Sequence, residues 1–164
     1  MSTQVRTSTQ KGVVCRLADG AADLATHHAI RRSVFVLEQG VFAESDHDSR
    51  DDHATTLHVV GFVDGLPGGV VRLFPLDPSN PAGEWQGDRL AVLPEFRSSG
   101  LGRPLVRFAV ATAARLGGSR MIAHVQPANR TFFRRLGWVQ RGAPELYVGI
   151  PHLPMDIDLV VAAS

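Results

Sequence analysis

One cysteine, one tyrosine and no sustained apolar run in 164 residues remove several classes of protein at once. A lone Cys15 cannot close an internal disulfide or supply a cysteine-built zinc site, and it reads as a small buried hydrophobe. No stretch reaches the roughly 20 apolar residues of a membrane-spanning helix. Residues 1–12 are polar where a secretory signal would be greasy, so the expected setting is the cytoplasm, with no membrane partner. Charge of one sign is lacking too, because 17 Lys and Arg against 16 Asp and Glu leave a net charge of +1. No global field then favours nucleic acid, and any bound anion must be held locally.

What remains is one core. With 44% apolar and 20% charged residues, the length fills a single domain over residues 12–164, behind a loose Ser-, Thr- and Gln-rich tail over residues 1–11. Residues 13–17 read as a first strand, and Asp19 or Asp23 is placed to cap the helix that follows. Leu24, His27, His28, Ile30, Arg31, Val34, Phe35 and Leu37 recur at spacings of three and four to about Glu38, where Gly40 ends the helix. Residues 57–63 and 70–74 form an expected hairpin around Asp64-Gly65, residues 75–83 a loop, and residues 84–93 the next strand.

Leu105, Phe108, Ala109, Thr112, Ala113 and Leu116 make one helical stripe, stopped by Gly117-Gly118. Residues 121–125 are a short strand, and Asn129 is a fitting cap for a brief helix to Leu136. Residues 138–140 and 156–160 read as the last strands, separated by a Pro- and Gly-bearing connection. The order β-α-β-β-β-α-β-α-β-β is neither a repeat nor a regular βαβ array. It describes an α/β chain of the α+β type, a mixed sheet with helices on both faces.

Residues 41–55 differ in kind, gathering Glu44, Asp46, Asp48, Asp51 and Asp52 with His47 and His53. A calcium loop needs a glycine at its sharp turn and a closing glutamate, and Arg50 and His53 supply neither. Three readings stay open: a metal site, a solvated acidic loop, or a loop that meets a cationic amine substrate.

The stretch from Asp88 to Leu105 organises the rest. An apolar strand through Leu90, Ala91 and Val92 runs into Arg97-Ser98-Ser99-Gly100-Leu101-Gly102-Arg103, and a helix starts near Pro104. Helix N-termini offer unpaired N–H groups, glycines let backbone approach a phosphate, and Pro104 suits a first turn because its missing N–H would be unpaired anyway. A dinucleotide fingerprint fails at Leu105, where its third glycine belongs, and no Gly-Lys-Ser/Thr exists for a P-loop. A pyrophosphate seat and an ordinary strand-to-helix turn both fit the residues taken alone.

Arg97-x-x-Gly100-x-Gly102 resembles the Arg/Gln-x-x-Gly-x-Gly/Ala pyrophosphate loop of the GCN5-related N-acetyltransferases (GNAT), and Leu90-Ala91-Val92 resembles their pantetheine-binding strand. Asn129 to Trp138 is similar to the family's last motif, a short helix ending in Leu-Gly-aromatic. Within that superfamily, Arg32-x-Val34-Phe35-Val36-x-Glu38-Gln39, Glu44, Asp46, His58 and Gly149-Ile150-Pro151-His152-x-x-Met155 resemble the ElaA-like acyltransferases. Trp85, Arg89 to Val92, Val125-Gln126 and Phe133-x-x-Leu136-Gly137-Trp138 extend the likeness to a bacterial subgroup named for nitrogen starvation.

The resemblance implies a mostly antiparallel sheet of six to seven strands, and acetyl-CoA as co-substrate with no metal. Leu90, Ala91 and Val92 would pair the pantetheine arm, and Arg97 to Arg103 would cradle the pyrophosphate, with Asn129 and Phe133 on the same cofactor. Arg107, Arg130, Arg134 and Arg135 are further candidates for the adenosine phosphates. The implied reaction is attack of a small-molecule primary amine on the thioester, with an oxyanion donor near Val92.

Candidate bases are His152 first, then Glu44, Asp88, Glu84 and His124. Where many members carry a tyrosine that protonates the departing thiolate, this chain has Phe133, so Tyr147 is the candidate substitute. Other readings are an acyl-CoA-binding sensor or partner module without turnover, and a protein or peptide N-acetyltransferase. A homodimer is expected from the last strands.

Overall fold

The computed structural model describes residues 7–10 and 12–159. Strands β1 (Thr7–Gln10), β2 (Val13–Leu17), β3 (Leu57–Val63), β4 (Leu66–Pro75) and β5 (Glu84–Val92) pair antiparallel in chain order. Strand β6 (Arg120–Val125) joins β5 in parallel, β9 (Ile150–Asp158) lies antiparallel to β6, and β7 (Val139–Gln140) pairs the outer edge of β9. The short β8 (Glu145–Tyr147) pairs the first residues of β9.

The mixed, mostly antiparallel sheet is the expected one, with more strands than the sequence suggests. Strand β1 falls in the stretch read as a tail. It forms because Gly12, at φ 80°, folds the chain back on β2, whose outer edge β3 leaves open. Residues 1–6, 11 and 160–164, which hold the rest of the tail and the end of the expected last strand, lie outside the described residues. Strand β8 and half of β9 replace the irregular connection expected before residue 156, because alternate edges of β9 are taken up by β6, β7 and β8 despite Pro151 and Pro154.

Helices cover both faces. Val59, Val71 and Leu73 point into a large core with α2 (Gly102–Arg115), whereas Val60, Val70 and Ala91 point into a smaller one with Ile30, Val34 and Phe35. Successive strand residues face opposite sides, so a strand buried on both faces reads as a continuous apolar run. Helix α2 sits close because Gly61 and Gly69 lie beneath it. A Cβ at Gly61 would stand 2.9 Å from Leu101 Cδ1.

Helix α1 (Gly20–Arg31) continues as a π-helical turn over Arg32–Glu38, where the Gln39 N–H bonds Val34 O at 2.8 Å. Asp19 takes the cap position without a side-chain bond, and Asp23 instead accepts the Asp19 N–H at 2.8 Å. The brief α3 (Arg130–Arg135) likewise starts without a side-chain cap from Asn129.

His27 of α1 is fully buried, with Nε2 3.1 Å from the Val71 carbonyl oxygen. Burial, and then His58, Arg31 and His28 around it, push its pKa down to about 2 against the pull of that carbonyl. The unfolded imidazole titrates near 6.5, so the unfolded state takes up a proton that the fold refuses. Stability should therefore fall as pH drops below about 6.5, by up to about 1.4 kcal/mol per pH unit from this group. His28, also held low by burial, adds to the same slope. His27→Gln keeps a donor for Val71 and should flatten the slope in urea unfolding across pH 5 to 8; an unaltered slope would show that His27 is not its source.

Candidate active site

Strands β5 and β6 stay paired only from Glu84↔Arg120 to Gln86↔Ile122. Beyond that β5 remains with β4 and β6 with β9, so the two part and open a cleft. The cleft holds a cavity of about 140 Å³ whose walls include Leu90 of β5, Ala109 of α2, His124 of β6, Asn129 and Phe133 near and on α3, and Tyr147 and His152 of β8 and β9. The Leu93 N–H bonds Gly68 O on the β4 side at 2.8 Å. Main-chain groups alternate along a strand, so those of Ala91 also turn to β4, while those of Leu90 and the Val92 N–H turn to the cleft.

At the end of β5 the chain makes a 3₁₀ turn over Pro94–Ser99, and Gly100 takes φ 77° before α2 begins. Leu101 is fully buried and anchors the turn, while Ser98, Ser99 and Gly100 are exposed. No side chain caps α2, which leaves the N–H groups of its first turn facing out beside Arg103. Arg97, expected at a phosphate, is engaged elsewhere. Its two terminal nitrogens donate to the Glu38 carboxylate at 2.7 and 2.6 Å, and its Nε donates to Val92 O at 3.0 Å. Arg107, Arg130, Arg134 and Arg135 lie exposed on α2 and α3.

His124, Tyr147 and His152 meet on the opposite wall. The Tyr147 ring stacks on His124 with centroids 4.0 Å apart, and stands edge-on to His152 at 5.4 Å. His152 Nδ1 is 2.8 Å from Ile150 O. A carbonyl can only accept, so Nδ1 carries the proton and Nε2 of the neutral ring keeps the lone pair. Burial first, and the Asp88 charge after it, raise the Tyr147 pKa, so the phenol stays protonated at neutral pH; burial lowers that of His124, which stays neutral. Phe133 packs edge-on against Trp138 at 5.2 Å and offers the cavity no proton.

Residues 21–138 match the acetyltransferase (GNAT) family model. The chain belongs to that family. An uncharacterized N-acetyltransferase of Bacillus subtilis (strain 168), YjcF, is 32% identical over 130 residues, which are 79% of this chain and 88% of that protein. An acyl-CoA N-acyltransferase structure from Pseudomonas aeruginosa is similar with a TM-score of 0.72 at 28% identity, over 88% of this chain and 97% of the other. Escherichia coli ElaA shares the fold with a TM-score of 0.76 at 18% identity, over 88% and 98% of the two chains. The GNAT fold uses acetyl-CoA or CoA, and no helix among the described residues is long and apolar enough to cross a membrane.

The other carboxylates proposed from the sequence are placed differently in this GNAT enzyme. Asp88 lines the cavity as the bidentate partner of Arg72, with each oxygen accepting at 2.8 Å and one also accepting from Gln86 at 3.2 Å, so it serves the buried ion-pair network behind the wall. Glu84 is ion-paired to Arg120 at the far end of β5, and Glu44 is exposed outside the cavity wall, where its carbonyl accepts from Arg32 at 3.3 Å.

The acidic loop divides in two: Glu44, His47, Asp52 and His53 are exposed, whereas Asp46, Asp48 and Asp51 turn inward to arginines. Asp46 accepts from Arg31 at 2.6 Å and from Arg89 at 3.0 Å, Asp48 from Arg72 at 2.6 Å, and Asp51 from Arg31 at 2.6 Å and His58 at 3.0 Å. His28, Asp51 and His58 hold ligand atoms within 4.8 Å of one another, yet Asp51 already serves two guanidiniums and an imidazole. Burial alone would raise the Asp51 pKa; the bonds from His58 and Arg31 instead hold it well below the carboxylate range. Sequence reading missed this network. Its one signal was Arg72, a charge inside the apolar run Val70-Val71-Arg72-Leu73-Phe74.

Arg72 is 1% exposed and touches Asp48, Asp51 and Asp88. Removing one member of a buried ion pair strands the other, so Arg72→Leu should cost about 3–5 kcal/mol in chemical denaturation. A loss near the ~0–1 kcal/mol of a surface pair would show that the network is not buried in solution.

Proposed function

We propose that this GNAT enzyme moves an acetyl group from acetyl-CoA to the primary amine of a small molecule by direct attack on the thioester. The observation that carries the reading is the parted β5–β6 pair, with Leu90 of β5 on one wall of the cavity and His152 and Tyr147 on the other. The pantetheine arm adds to the free edge of β5 as an extra strand would. The pyrophosphate sits on the N–H groups from Ser99 to Arg103, where the uncapped helix start favours an anion. Asn129 and Phe133 border the cofactor on its α3 side.

A free alkylamine is mostly protonated at pH 7, being near the lysine value of about 10.4. The ammonium gives its extra proton to solvent before attack; the neutral amine's lone pair then forms the C–N bond, His152 Nε2 takes the second nitrogen proton, and the C–S bond breaks. The thiolate takes its proton from the Tyr147 hydroxyl, which burial keeps protonated. Tyr147 thereby fills the role that Phe133 cannot. A Val92 N–H on the cleft side supports the oxyanion. The acceptor is a monoamine, because Asp88, the one carboxylate among the described residues that line the cavity, is paired with Arg72 and offers no seat for a second ammonium.

Thiol release with acetyl-CoA and an amine panel tests the reading. His152→Ala should lower turnover about 10²–10⁴-fold, and Tyr147→Phe should lower it as well, with acetyl-CoA affinity by calorimetry within about twofold of wild type. Absence of saturable acetyl-CoA binding would overturn the cofactor assignment, and an unchanged rate in His152→Ala would remove it as base.

A further inference from the structure

Strand β5 carries one residue more than β4 can pair. Val70 faces Ala91 and Arg72 faces Asp88, so Val71 alone stands opposite Arg89 and Leu90. Arg89 takes φ 52°. A bulge of this form places its first residue in the left-handed region, a position that glycine fills without strain and a Cβ does not. Here the occupant is a buried arginine, and its own side chain supplies what offsets the strain.

Arg89 Nε donates to Asp46 Oδ2 at 3.0 Å, and Nη2 donates to the Asp46 carbonyl at 3.0 Å and to Asp48 Oδ2 at 3.3 Å. The guanidinium lies 4.7 Å over the Phe42 ring. All of these partners come from the loop between the π-helical turn and β3. Asp46 is itself fixed by Arg31 at 2.6 Å, so the tether does not swing.

The bulge decides which way the end of β5 faces. Upstream, Trp85 belongs to the α2-side core, and a Cβ at Gly87 would meet Met121 of that core at 3.1 Å. Downstream, Leu90 and Val92 pack on the same core while Ala91 faces the other. Gly87 to Leu90 is an odd step, which an unbroken strand cannot make without changing face. Were the same residues to run as an unbroken strand, with no bulge, Leu90 and Val92 would turn to the α1 side and their main-chain groups would turn back to β4.

We propose that Arg89 and Asp46 are positioning residues: the loop, through Asp46, holds Arg89 in its left-handed conformation, and the bulge so held presents Leu90 and Val92 to the cleft. This rests on the reading that those main-chain groups receive the acyl-CoA. A structural role alone would change stability and leave kcat/KM of the folded enzyme untouched.

The test separates the two. Asp46→Asn should lower kcat/KM for acetyl-CoA by about tenfold well below the unfolding temperature, and speed amide exchange at Leu90 and Val92. Adding Arg89→Gly, which is at ease at that φ, should recover most of the rate while the stability lost with the ion pairs stays lost. A rate that never falls in Asp46→Asn, or that stays down in the double variant, overturns the proposal. Arg89→Gly alone covers the case in which Asp46→Asn does not fold: glycine is at ease at that φ, so amide exchange at Leu90 and Val92 should stay near the wild-type rate, and exchange about tenfold faster there overturns the proposal as well. If wild-type protein releases no thiol with any amine, the transfer reading fails, and exchange at Leu90 and Val92 still decides whether Asp46 holds the strand.

Discussion

Arg31 and Arg72 are 0% and 1% exposed, and a guanidinium that cannot lose its proton cannot stay in such a place without anions around it. The neighbouring elements are arranged around that demand. The loop after the π-helical turn brings Asp46, Asp48 and Asp51 inward, β5 contributes Asp88, and β3 adds His58 to Asp51. A loop that would otherwise run over the surface is thereby pinned to the middle of the sheet. The same charges fix α1 to β4 and bring Phe42 against Arg89, so the wall of the cavity inherits its shape from the ion pairs behind it.

That constraint also separates what the sequence disclosed from what it hid. The turn from Arg97 to Gly102 was legible because its requirements are local: a strand, a left-handed glycine at Gly100, a buried Leu101 and a helix that starts without a cap. The cleft walls at Leu90, Phe133, Tyr147 and His152 followed from the same motif and its resemblance. The acidic loop was illegible because its partners lie up to 43 residues away in the chain, as Asp46 and Arg89 show. Charge density looks the same in sequence whether water or arginine neutralises it.

Smaller misreadings have the same origin. Asn129 stands where a cap would, yet makes no cap bond and faces the cavity instead. Pro151 and Pro154 argued against a strand in residues 150–155, and tertiary pairing with β6 and β8 overrode the local preference. The bulge at Arg89 left no trace, because glycine is the usual flag for a left-handed position and the side chain here takes its place through contacts that only the fold brings together.

The solitary tyrosine gives the cleft an optical property of its own. Phenol ionisation changes ultraviolet absorbance, and with one tyrosine in the chain every such change arises at Tyr147, against the flat face of His124. The residue proposed to reprotonate the thiolate is thus a built-in chromophore, whose titration can be followed in the unlabelled protein without contribution from any other phenol.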